Sequence, residues 1–123
     1  LTFQEEMREL MNAMAFAYRA GDAHGCAQLF AADAVLYCPY AFPAHGRDAI
    51  ESLHREWTNG GVGKVLTVRD CGRSGNLGWC VVAYSEDDAS GNGTSVNVVE
   101  RAPGGQWQIR VCSLNSDEPP QLE

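Results

Sequence analysis

The spacing of apolar residues changes period near residue 61, and this divides the chain into a helical first half and a stranded second half. Upstream, Phe3, Met7, Leu10, Met11, Met14 and Tyr18 recur at the three-and-four spacing that lines one face of a helix. Thr2 with Glu5 three residues on is a capping-box signature, so a first helix of about four to five turns is predicted to start there and stop at Gly21. Asp22 can cap a short second helix holding Cys26, Leu29 and Phe30, weakened by Gly25 and closed at Asp33. Val35 to Tyr40 is compact and apolar, and Pro39 confines it to an edge or a strand end. Residues 41 to 45 are expected to be loop, and a third helix carries Ile50, Leu53 and Trp57 on one stripe up to Asn59-Gly60-Gly61.

Downstream the pattern alternates. Lys64 to Cys71, Leu77 to Ser85, Thr94 to Arg101 and Gln106 to Leu114 read as four strands. The turns between them centre on Gly75-Asn76, Ser90 to Gly93 and Pro103 to Gly105, and turns this short imply antiparallel pairing. Helices first and a meander afterwards is the α+β pattern, in which a curved, mostly antiparallel sheet wraps three N-terminal helices. Such a sheet forms a cone whose open end is a natural small-molecule site. The chain of 123 residues, 45% of them apolar, suits one core, so residues 1–116 are expected to form a single domain followed by a polar tail, 117–123.

Charge and cysteine usage exclude several classes. Nine basic against sixteen acidic residues give a formal charge of -7, which repels phosphate-rich partners, so nucleic acid is not an expected ligand. The opening LTFQEEMREL has no basic stretch followed by an apolar run, and no segment approaches the ~20 apolar residues that cross a bilayer. A soluble protein without membrane partners is expected, and the leucine start points to a trimmed chain. Five cysteines without C-x-x-C spacing fit neither a paired secreted framework nor a zinc site, so reduced thiols in a cytoplasm are expected, with no metal and no cofactor. Asp87 and Asp88 read as a solvated face, and His24 and His45 carry no role.

The segments AGDAHGCAQLFAADAVLY (20–37), GRDAIESLHREW (46–57) and GGQWQIRVCSLNS (104–116) resemble the nuclear transport factor 2-like superfamily over roughly Met7 to Asn115. That group includes ketosteroid isomerases, SnoaL-type polyketide cyclases and scytalone dehydratase. The resemblance implies the cone fold, a homodimer through the outer sheet face and a small apolar or cyclic ligand. It implies little about chemistry, because function resides in residues grafted onto the fold. Laid on the ketosteroid isomerase pattern, the oxyanion tyrosine falls on Met14, the base on Cys38, the protonated acid on Asn97 and a supporting tyrosine on His54. Losing the tyrosine and the aspartate removes an oxyanion donor and the base, effects on the order of a hundredfold or more apiece.

The candidate catalytic residues are accordingly Cys38, Asn97 and His54, and the candidate ligand contacts Met14, Tyr40, Trp57, Trp79, Arg110 and Cys112. Cys38 and His54 make a nucleophile–base pair only if they meet; otherwise the thiol packs as a small hydrophobe. Asn97 either offers its amide to a ligand carbonyl, or it faces solvent or is satisfied by a neighbouring backbone. Met7, Met11 and Met14 form a stripe that could touch an apolar ligand, although ordinary core packing explains such a stripe more often. Hydropathy puts Trp107, Ile109 and Val111 on the buried face, whereas the resemblance points Arg110, Cys112 and Leu114 inward. A partner chain on the outer face would reconcile the two, and Arg110 then either favours an anionic ligand or sits at the rim with Glu100. Two functions are therefore expected: a small-molecule-binding protein, with an isomerase, cyclase or hydratase acting on a compact carbonyl compound as its enzymatic form, or a non-catalytic association module with a vestigial cavity. A cavity packed shut by Met14, Trp57 and Trp79 favours the module, and an open one with convergent polar atoms favours binding.

Overall fold

Thr2 Oγ1 accepts the Glu5 backbone N–H at 3.1 Å and donates to Glu5 Oε1 at 3.0 Å, so Thr2 caps α1 (Phe3–Arg19) as predicted, with Glu5 bonding the cap's hydroxyl in place of its backbone N–H. The computed structural model describes residues 1–39, 41–86 and 92–118. At the far end of α1, Gly21 N–H donates to Tyr18 O and Asp22 N–H to Ala17 O, the paired bonds of a Schellman stop. Asp22 then accepts Gly25 N–H at 2.9 Å and caps α2 (Ala23–Gln28), one residue short of Leu29, which is its C-cap. The third helix, α3 (Arg47–Trp57), is tied back by Arg47, whose Nε and Nη2 both donate to Phe30 O.

Six strands make one sheet in the order β2-β1-β6-β5-β4-β3. They are β1 (Phe30–Cys38), β2 (Ala41–His45), β3 (Val65–Ser74), β4 (Leu77–Ser85), β5 (Gly93–Arg101) and β6 (Trp107–Ser116). Every neighbouring pair is antiparallel except β1 with β6, which closes the helical half onto the meander. Two boundaries differ from expectation. β1 begins at Phe30, because Phe30 pairs with Ile109 before the chain bulges toward Val35, so the phenylalanine belongs to the sheet and not to α2. Residues 41–45 form an edge strand, where Pro43 has no ladder bond to lose on its open side.

The core lies between α1 and the concave face, built from Met7, Leu10, Met11, Phe30, Leu36, Ile50, Val82, Val99 and Ile109. The last strand settles the conflict over its phase. Val98 pairs with Val111 and Val99 with Ile109, so Arg110 is the extra residue of a β-bulge. Trp107 and Ile109 face inward before the bulge, and Cys112 does so after it. The bulge reconciles the two faces without the partner chain suggested for burying Trp107 and Ile109. Trp107 is buried within one chain, edge-on to Phe3 with ring centroids 5.0 Å apart. Arg110 points to the rim, where it pairs with Asp33 and, at 3.4 Å, with Glu100. Its assignment as a ligand contact is corrected accordingly.

The tail begins with bends at Asp117 and Glu118, and its remainder lies outside the described residues, as do Asp87, Asp88 and the turn residues Ser90 and Gly91. No helix among the described residues is long and apolar enough to cross a membrane. All five cysteines are free, and the described residues hold no cluster of His, Cys, Asp or Glu that could bind a metal ion.

Candidate functional site

The sheet curves over α1 and α3 and leaves a cavity of about 340 Å³. Met11 and Met14 of α1, Phe30 and Leu36 of β1, Trp57 of α3 and Val82 of β4 give it an apolar wall. Cys112 and Leu114, turned inward beyond the Arg110 bulge, complete that wall on β6. Of the residues singled out from sequence, Met14, Trp57, Asn97, His54 and Cys112 border this space.

Asn97 is 2% exposed, which removes the solvent-facing alternative. Ser95, Asn97 and Val99 all face inward from the alternating strand β5. Asn97 Nδ2 donates to Ser95 Oγ at 3.0 Å and to Cys80 O at 3.5 Å. Accepting that bond leaves the Ser95 hydroxyl hydrogen available for a second acceptor, and the 3.5 Å contact is long enough to exchange for a better one. Both Asn97 amide hydrogens are thus met within the protein, one of them by a neighbouring backbone carbonyl, and the Ser95 hydroxyl brings a further donor to the cavity wall that the alternation pattern alone did not single out.

His54 stands on the opposite wall among rings, with centroids 5.2 Å from Trp57, 5.8 Å from Phe30 and 6.3 Å from Tyr18. Its Nδ1 lies 2.8 Å from Ile50 O, and a carbonyl can only accept, so the neutral ring carries its hydrogen on Nδ1 and its lone pair on Nε2. Burial lowers the His54 pKa below the usual imidazole value, against the opposing pull of the Ile50 carbonyl.

The expected Cys38–His54 pair does not form. Cys38 Sγ lies 4.0 Å from Ala41 O at the irregular end of the β1–β2 ladder, makes no hydrogen bond to His54 and is not part of the cavity wall. Trp79 is also corrected. It lies on the convex face, 41% exposed, opposite Gly72 of β3, because inward positions on β4 are the even-numbered Cys80, Val82 and Tyr84. Tyr40 lies outside the described residues.

Sequence reasoning missed the charged side of the cavity. Lys64 precedes β3, its side chain only 12% exposed, with Nζ 4.5 Å from the Tyr18 ring centroid and 4.7 Å from that of Tyr84. Glu86, following β4, brings Oε1 to 3.5 Å from Nζ, and Tyr18 OH donates to the same oxygen at 3.3 Å. Burial lowers the Lys64 pKa, the Glu86 carboxylate working the other way. Burial, then Glu86, raises that of Tyr18. Two glycines make room for these rings: a Cβ on Gly61 would stand 2.4 Å from Tyr18 Cε1, and one on Gly93 would stand 2.3 Å from the Tyr84 hydroxyl, which donates to Asn115 O. One sequence signal did point here, because Lys64 is the only lysine among nine basic side chains.

No family model matches the chain, and no curated protein does. Solved structures do match. A domain of unknown function with a cystatin-like fold from Nostoc punctiforme is 21% identical, covering 97% of this chain and 80% of its own, with a TM-score of 0.79. A ketosteroid isomerase-like protein from Erwinia carotovora atroseptica is 13% identical, covering 94% and 97%, with a TM-score of 0.76. A protein classed as a calcium/calmodulin-dependent protein kinase II association domain from Xanthomonas campestris is 19% identical, covering 92% and 88%, with a TM-score of 0.71. The chain therefore has the cystatin-like fold shared by nuclear transport factor 2-like and ketosteroid isomerase-like proteins.

Proposed function

We propose that this protein binds a compact, largely apolar carbonyl compound in the cone, with the carbonyl oxygen directed at Ser95 and Asn97. The observation that carries this reading is a hollow with polar atoms converging on it from β5, α3 and the Lys64–Glu86 pair. A volume of about 340 Å³ lies at the small end of the roughly 300–1,000 Å³ typical of ligand pockets and suits about one or two rings. Isomerase, cyclase or hydratase chemistry is compatible with it, the donors at Ser95 and Asn97 being placed for developing negative charge on oxygen. A thermal-shift screen of cyclic ketones and aldehydes tests the proposal, since a ligand that binds only the native form raises the melting temperature. A silent screen across chemically varied rings contradicts it.

A second reading, the association module, is favoured by the convex face, where Tyr37, Trp79, Val96 and Val98 are exposed together on the sheet. One structural neighbour is itself classed as an association domain. A homodimer through this face is compatible with an open cavity, so the two readings are separable by experiment. Light scattering of the wild type against Trp79→Glu reads the dimer, and the thermal shift reads the pocket. Loss of the dimer without loss of the shift assigns binding to the cone alone.

A further inference from the structure

Eight of the nine basic residues are arginines, whose guanidinium stays protonated and is a poor nucleophile, and the single lysine is the cation placed against the cavity. Its surroundings are those of a reacting amine more than of a structural ion pair. Nζ lies against the faces of Tyr18 and Tyr84, and its carboxylate partner stands at 3.5 Å, beyond the roughly 2.7–2.9 Å of a strong charge-assisted bond. Glu86 Oε1 also accepts a long bond from Tyr18, at 3.3 Å, and the Glu86 backbone N–H donates to Asn92 Oδ1, so the carboxylate has anchors besides the lysine.

We propose that Lys64 forms a covalent imine with the carbonyl carbon of the bound compound, with Glu86 moving the protons. This deepens the reading above and rests on it, because it presumes a carbonyl ligand in the cone. Glu86 takes a proton from the ammonium, and the Nζ lone pair attacks the carbonyl carbon as the C=O π pair moves to oxygen. The carbinolamine forms when that oxygen gains a proton and the nitrogen loses one. Glu86 then returns its proton to the hydroxyl, water leaves, and the nitrogen lone pair closes the C=N⁺ double bond. One carbonyl and one ammonium thus become one protonated imine and one water, with no oxidant or reductant. The charge at Nζ is positive before and after, so the tyrosine faces that hold the ammonium also suit the iminium. Burial, by favouring the neutral amine, supplies the nucleophile in the same place.

Treating the native protein with cyclohexanone or benzaldehyde in the presence of sodium cyanoborohydride reduces any imine to a stable secondary amine, which peptide mapping locates. The chain's other amine is the α-amino group. In unstructured chains α-amines hold their proton less tightly than lysine side chains do and so react faster near neutral pH. The expected result is labelling at Lys64 ahead of the α-amine in the native protein, reversed in 6 M urea. Glu86→Gln is expected to slow the Lys64 label on the order of a hundredfold, while circular dichroism remains native. Labelling confined to the α-amine, with the same compound still raising the melting temperature, overturns the imine and leaves the pocket reading standing. No label at Lys64 and no thermal shift overturns both.

Discussion

Val99 pairs with Ile109 while its neighbour Val98 pairs with Val111, and the residue skipped between them, Arg110, is what turns the end of β6 toward the cavity. Cys112 and Leu114 line the hollow because of that one inserted position. The same sequence paired without a bulge would keep its earlier phase and present Val111 and Ser113 instead.

Deleting Arg110 should therefore do little more damage than replacing it, because with the extra residue gone Val111 follows Ile109 outward and Cys112 and Leu114 still point inward. Arg110→Ala removes only half-exposed ion pairs to Asp33 and Glu100 and should cost about 0–1 kcal/mol. The deletion should lower the urea midpoint by a similarly small amount, since it straightens the strand without exchanging its faces. A midpoint far lower for the deletion than for Arg110→Ala would show that Arg110 is not the extra residue of the bulge.

The stability of the native protein should fall as pH drops below about 6.5 partly on account of His54. Its folded pKa is depressed, so the unfolded chain binds the proton more readily. The contribution is complete above the unfolded value and is lost as pH falls from there toward the folded one. His54→Phe, which keeps a ring among Tyr18, Phe30 and Trp57, should flatten the change in urea midpoint between pH 8 and pH 5.5. Parallel curves for the two proteins would assign the acid sensitivity elsewhere.

Thiol chemistry should follow burial. Burial pushes Cys26 up to about 11 and Cys80 and Cys112 up to about 12, so in native protein at neutral pH these three should resist iodoacetamide. Cys38, partly exposed and without a histidine partner, should label at an ordinary rate that His54→Phe leaves unchanged. A slower Cys38 in that variant would restore the nucleophile–base pair that the geometry excludes.

Large side chains should divide by face. Phe30, 2% exposed and part of the cavity wall, should cost about 3–5 kcal/mol when replaced by alanine. Phe42, 93% exposed on the edge strand, should cost less than about 0.5 kcal/mol. Urea denaturation of the two variants checks the contrast.

The elements most legible in the sequence were those with an undisturbed period. β4 spans Leu77–Ser85 as its alternation implies, and Thr2 caps α1. The bulge at Arg110 was not legible, because Trp107, Ile109, Val111 and Cys112, Leu114 each satisfy an alternation and nothing in the spelling marks the change of step. Trp79 was misplaced for a related reason: β4 carries apolar residues on both faces, so its period does not say which face is inside. Lys64 and Glu86 were missed because charges flanking a strand usually meet solvent. Only the fold brings the two into contact, across a loop of the helical half and the end of β4.

The side-chain amide of Asn97 offers the most direct test of the pocket, since its two hydrogens give a separate pair of signals in a ¹⁵N–¹H correlation spectrum. Titrating the native protein with cyclohexanone should move that pair saturably, together with the backbone signals of Ser95 and Cys112. Signals that stay fixed there while only convex-face residues such as Val96 and Val98 respond would contradict a ligand in the cone.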